Sequence, residues 1–241
     1  MNIFGKYYYL ITALPPLKYG VLEFPVTFPK FWSLILQEDE RLQELAGAVL
    51  LRKDLQNLEK LKNEQEIQNE GCFSFEILES LLQRPALASQ YLPEPIATYW
   101  HTNTSHPTTE TNLWNVYFTY LLEIAKKYHS GLEDYLIWEY RLQVALYEYR
   151  KKTPYKLQSM PEFIDLFSER RLLDNYKKIE NPLQAEVALD RMRWEKISEI
   201  AAPYSFHRDE VIVYALHLLI LDRWWNISHY EKNIFAQVAN G

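Results

Sequence analysis

Leu42-Gln43-Glu44-Leu45-Ala46-Gly47-Ala48-Val49-Leu50-Leu51-Arg52-Lys53-Asp54-Leu55-Gln56-Asn57-Leu58-Glu59-Lys60-Leu61-Lys62 contains no proline, and Leu42, Leu45, Val49, Arg52, Leu55, Leu58 and Lys62 recur at steps of three and four. That spacing is the period of an amphipathic α-helix, not of a strand. Gly47 marks the point at which a break would fall. Elsewhere the chain points the same way. It has six glycines and no Asn-Gly or Asp-Gly pair of the kind that closes hairpins. Its 12 prolines act as punctuation, and helices fit between them.

Working outward, Lys6-Tyr7-Tyr8-Tyr9-Leu10-Ile11-Thr12-Ala13-Leu14 is aromatic and β-branched and reads equally as a strand or a short buried helix. Ser74 can cap a short helix carrying Ile77, Leu78, Leu81 and Leu82, stopped at Arg84 by Pro85. A helix with Trp114, Tyr117, Phe118, Leu121, Leu122 and Ile124 ends near Ser130-Gly131. Ser130, with Glu133 three residues on, forms a capping box for the next helix, whose inward face is Leu136, Tyr140, Val144 and Tyr147. Asn181-Pro182-Leu183-Gln184 starts another, running through Leu189, Met192, Trp194 and Ile197 until Pro203 ends it. The segment from about Asp209 to Trp225 is apolar nearly all round and reads as a central helix. The polar, unpatterned stretch around His101 to Asn112 is the natural boundary. The expectation is an all-α multi-helix bundle in two lobes: 1–101, a linker at 102–111, and 112–241.

The 241 residues are enough to bury a core without a staple, and 48% of them are hydrophobic. One cysteine, Cys72, permits no internal disulfide and favours a reducing compartment. Met1 to Lys6 carries one positive charge and no apolar run before Pro15, so no signal peptide is expected. The apolar run Val211 to Leu221 is broken by His217 and falls short of the ~20 residues that cross a bilayer. A net charge of −6 supplies no field for nucleic acid, and Arg150-Lys151-Lys152 suits a helix end better than a phosphate site.

Candidate chemistry is thin. No Glu-x-x-His pair, His-Glu-x-x-His helix, Cys-x-x-Cys pair, P-loop or Gly-x-Gly-x-x-Gly turn occurs. No catalytic residue, metal or cofactor is expected. Glu210, Tyr214 and His217 share a helix face and could pass a proton, although a histidine in an apolar helix more often serves packing. Tyr and Trp anchor protein interfaces, and Trp225, Tyr149 and Tyr155, near helix ends, are the expected partner contacts.

Trp138-Glu139-Tyr140-Arg141-Leu142-Gln143-Val144-Ala145-Leu146-Tyr147-Glu148-Tyr149-Arg150-Lys151-Lys152 resembles the aromatic-acid-x-x-Leu-Asn-x-x-x-x-x-x-Arg helix of the C/d family of V-type ATPase subunits. Leu51-Arg52-Lys53-Asp54-Leu55-Gln56-Asn57-Leu58 is similar to the family's Asp-Leu-x-Asn-Leu helix. Tyr7-Tyr8-Tyr9-Leu10, Asp190-x-x-x-Trp194 and Leu221-x-Arg223-Trp224 resemble the short members of that family encoded in bacterial V-type ATPase gene clusters. Position 143 departs, being Gln for Asn, and the chain is shorter than a standard member of the C/d family. The resemblance implies a non-catalytic part between the central stalk and the membrane rotor ring, coupling rotation to ion transport. It would be cytoplasmic and held at the inner membrane through partner subunits, without inserting. Glu139, Gln143, Arg150, Asp54 and Asn57 are its motif residues, and an apolar or aromatic concave face between the two lobes, with an acidic or mixed rim, would suit the stalk tip. The competing reading is a helical scaffold or adaptor unrelated to any ATPase.

Overall fold

The computed structural model describes residues 5–20, 24–105, 112–151, 173–174 and 176–239, with side chains omitted at 103–105, 148, 150, 151 and 229–239. It is 72% helix, and no strand occurs among the described residues. Among the described residues the α-helices are, in chain order, α1 (Tyr8–Ala13), α2 (Phe28–Ile35), α3 (Glu40–Lys62), α4 (Phe75–Gln83), α5 (Ala88–Tyr91), α6 (Glu94–Ser105), α7 (Leu113–Lys127), α8 (Leu132–Lys151), α9 (Pro182–Ser198) and α10 (Arg208–Ala239). The Tyr-rich opening, open between strand and helix in the sequence, is the single turn-and-a-half of α1.

Side chains start several of these helices by accepting the otherwise orphaned first-turn amides. Asp39 accepts from Arg41 N and Leu42 N at the head of α3. Asn112 accepts from Trp114 N at α7, and Asn181 from Leu183 N and Gln184 N at α9. Ser130 behaves differently from a capping box. Its Oγ accepts from Leu132 N but donates to Asp209 at 2.8 Å, and Asp209 also accepts from Gly131 N. The acid that completes the cap therefore comes from α10, not from Glu133.

α3 is continuous through Gly47, where an added Cβ would meet the Trp32 ring at 3.1 Å. The glycine admits a tryptophan instead of breaking a helix. Leu42, Leu45, Ala46, Val49, Leu50, Leu51, Leu55 and Leu58 are all buried, so more than one stripe of α3 faces protein. It packs against α2, α4, α7 and α10. Each leucine so enclosed contributes about 1.5–3 kcal/mol.

One apolar cluster takes in Tyr7 through Leu136 and resumes with Ile197 and Val211 through Ile220. The expected division at 102–111 does not part this core. α6 runs on to Ser105, α7 packs back on α6 and α3, and residues on both sides of the segment share one interior. A second, smaller cluster forms where Leu142, Ala145 and Leu146 of α8 meet Leu189 of α9 and Leu173. α10 starts at Arg208 and continues to Ala239, well past Trp225, and lies against α3 at the centre of the shared core.

Candidate functional site

The α3 motif residues fasten a loop. Asp54, fully buried, accepts from Phe73 N at 2.9 Å. Gly71 lies so close that a Cβ would sit 2.0 Å from Asp54 Oδ1, so only glycine fits there. One turn on, Asn57 donates to the Asn69 carbonyl, and the Asn69 amide donates to Asp222 of α10. Lys53 reaches the same Asp222 at 2.6 Å, with side chains 2% and 4% exposed. The segment between α3 and α4 is thus strapped onto both central helices. Burial pushes the Asp54 carboxyl up to about 7 against the pull of the Phe73 and Cys72 amides. Burial lowers Lys53, and the Asp222 carboxylate opposes it. Desolvation raises the Cys72 thiol, with the Asp54 charge adding to it, which disfavours the nucleophilic thiolate.

Glu139, the acid of the α8 motif, is buried and accepts both bonds from Arg193 Nε, at 3.1 and 2.9 Å, and one from Gln143. Arg193 then donates to Asp190 at 2.7 Å, Asp190 accepts twice from Arg223, and Arg223 reaches Glu186. This ladder joins α8, α9 and α10. It brings together Glu139, Asp190 and Arg223, residues from separate parts of the resemblance. Arg193, which the sequence did not single out, is the link. Burial works against its charge, and Glu139 and Asp190 more than offset that, raising its pKa.

Glu210, Tyr214 and His217 share a face of α10 but not a network. Glu210 accepts from Tyr204 N, Ser205 Oγ and Phe206 N, holding a loop in which Tyr204 and Phe206 have φ of 59° and 53°. Tyr214 donates to the Pro15 carbonyl. His217 stacks on Trp194 at 3.6 Å, with Nε2 3.1 Å from the Trp194 carbonyl. Burial lowers its pKa to about 4, so it is neutral at physiological pH. Each member is spent on a different neighbour, which is the packing role. Among the described residues no cluster of three or more His, Cys, Asp or Glu side chains could hold a metal ion.

A trough of about 540 Å³ lies between α7 and α8. Tyr117, Leu121, Leu136, Leu216 and Leu219 line its depths, and Phe118 meets Tyr140 across it with ring centroids 5.9 Å apart. Gln143 and Tyr147 of α8, Arg52 of α3 and Glu123 and Lys126 of α7 also line it. Of the inward face expected for α8, Leu136 and Val144 are buried and Tyr140 and Tyr147 half-buried, and all four border the trough. Of the expected partner anchors, Tyr149 is 43% exposed and edge-on to Tyr176, while Trp225 is half-buried on α10. Tyr155 and the Arg150 side chain lie outside the described residues. Compared with protein-family models, with curated proteins and with solved structures, the chain gives no match.

Proposed function

We propose that this chain is a non-catalytic subunit of a V-type rotary ATPase, bridging the central stalk and the membrane rotor ring so that rotation is passed to ion transport. The observation that supports this reading is the use made of the motif residues. Asp54, Asn57, Glu139, Asp190 and Arg223 are all engaged in joining helices, through the loop strap and the five-member ladder. Ionic groups spent this way fix helix positions instead of meeting a substrate, and a part that transmits torque needs that rigidity. No described helix is long and apolar enough to cross a membrane, so the proposed place at the inner membrane is reached through partner subunits. The aromatic trough, with Arg52, Lys126 and Glu123 in its lining, has the concave, mixed-charge character that suits a protein partner.

The test is capture by the stalk subunits. The tagged chain, expressed with the subunits encoded beside it, is expected to retain a central-stalk subunit through washing. If no stalk subunit is retained, and the ATPase and ring co-purify as one coupled particle after the gene is deleted, the proposal fails and the adaptor reading replaces it.

A further inference from the structure

The segment between α3 and α4 is tied to the rest of the fold by side chains. After α3 the last backbone-to-backbone bond runs from Gln65 N to the Lys60 carbonyl, and the next starts α4, from Ile77 N to the Ser74 carbonyl; among the described residues none holds residues 66–73. Three side chains hold them instead. Asp54 accepts from Phe73 N at 2.9 Å, Asn57 donates to the Asn69 carbonyl at 3.0 Å, and Asp222 accepts from the Asn69 amide at 2.9 Å. Ile67, Cys72 and Phe73 add a half-buried apolar hold. A stretch fixed by so few bonds, none of them part of a ladder, can leave the fold while the helices stay formed.

Closing the strap also encloses groups that water would serve better. Asp54 is 1% exposed and Asn57 0%. The Oδ1 of Asn57, the Oε1 of Gln68 and the Oδ1 of Asn226 are buried with no donor among the described residues, and Asn226 shares the Asp222 carboxylate with Asn69. Buried acceptors without donors raise the free energy of the state that encloses them, and opening hydrates them. Gly71 completes the closed form, since a Cβ there would stand 2.0 Å from Asp54 Oδ1.

We propose that residues 66–73 form a pH-sensitive latch: the strap lies closed while Asp54 is protonated, and once that carboxyl is ionised it opens from α3 and α10 as a unit, with the helices intact. The latch does not depend on which complex the chain joins. Its sign follows from burial. Asp54 is faced by Lys53 on its own helix and by the Cys72 thiol of the strap, while Asp222 of α10 is bound to Lys53. The charged side chains of α2, α4 and α7, the other helices packed on α3, are all exposed. Loss of solvent outweighs the amides of Phe73 and Cys72 and the charge of Lys53, and the closed carboxyl is pushed up to about 7; an open strap returns it towards its ordinary 3.8. The closed form therefore binds the proton more tightly, and opening should increase about tenfold between pH 6 and pH 8.

The test is amide exchange of Phe73 in the isotopically labelled full chain, followed by NMR and divided by the intrinsic chemical rate at each pH. The amides of Leu55 and Leu58 in α3 are the reference for global unfolding. Phe73 is expected to exchange faster than either reference at both pH values, and its corrected opening should rise about tenfold from pH 6 to pH 8. Asp54→Asn keeps an acceptor for Phe73 N but no titrating group, and should flatten that rise. Gly71→Ala should leave Phe73 unprotected at both values with the helical circular dichroism unchanged. Phe73 protection equal to that of Leu55 and Leu58, a corrected opening that does not change with pH, a rise that survives in Asp54→Asn, or wild-type protection in Gly71→Ala would each overturn the proposal. If Gly71→Ala does not fold, the wild-type and Asp54→Asn profiles decide alone.

Discussion

Asp222 and Arg223 are neighbours on α10, yet they lead into two different kinds of ionic structure. Asp222 turns inward to Lys53, in a pair whose side chains are 2% and 4% exposed, and also accepts from Asn69 and Asn226. Arg223 turns outward to Asp190 and Glu186, in a ladder that grades from the buried Glu139 to the Glu186 side chain, 31% exposed. The inner pair offers no solvent to either charge, so each is tolerable only while the other is present. The outer ladder shares its charges among five groups, and its rim is wet. The same residue types therefore serve two purposes: the first fixes α10 against α3, and the second fixes α9 and α8 against α10.

Truncating the inner pair should have the largest effect. Asp222→Ala leaves Lys53 charged in the core and also releases Asn69, and a loss of about 3–5 kcal/mol in urea denaturation is expected. Replacing both, as K53M/D222L, should recover much of that loss, because the buried charge goes with its partner. A loss under about 1 kcal/mol for Asp222→Ala would show that the pair is wetter than the geometry indicates.

Glu139→Ala, in the buried end of the ladder, should cost about 2–3 kcal/mol, since Arg193 loses a charged two-bond partner but keeps Asp190. If Glu139→Ala lost assembly with its partners while keeping the wild-type melting temperature, the residue would belong to an interface.

The next contrast is in pH. Asp54 has a folded pKa of about 7 against an ordinary 3.8. The folded state therefore holds this proton more tightly, and the stability it contributes is complete below pH ~4 and lost as pH rises through ~7. His217 is the reverse, at about 4 against 6.5. Its contribution is present above pH ~6.5 and lost as pH falls through ~4. Relative to wild type, Asp54→Asn should gain at least about 1 kcal/mol on going from pH 5 to pH 8. His217→Asn should gain stability, relative to wild type, on going from pH 7 to pH 4.5. Parallel pH profiles for variant and wild type would contradict either assignment. The smallest effect belongs to the rim, where Glu186→Gln should cost no more than about 0.5 kcal/mol and less still at high salt.

The helices were legible because their signals are local. Proline spacing, the Asn181-Pro182 start and the apolar steps of α3 lie within a few residues of what they specify. The Asp39 and Asn112 caps carried the same kind of signal, an Asx residue directly before the helix, and a systematic cap search would have found them. What failed was non-local. The three-and-four row along α3 took in Arg52 and passed over Lys53, whereas Arg52 is exposed and Lys53 is 1% exposed. A helix packed on several sides has no single stripe, and the partner that makes a buried lysine tolerable, Asp222, is 169 positions away. Ser130 shows the same limit: Glu133 was the near acid, but Asp209 holds the cap from across the fold. The resemblance marked Glu139, Asp190 and Arg223 in separate segments, and only the packing of α8, α9 and α10 shows that they form one ladder through Arg193.

The central claim, coupling without catalysis, is tested most directly by measuring ATP hydrolysis and ATP-driven ion uptake side by side in membranes with and without this chain. The account predicts that hydrolysis by the catalytic head persists without the chain while ion uptake collapses, and that adding the purified chain restores uptake. Ion uptake that stays in proportion to hydrolysis when the chain is absent would contradict it.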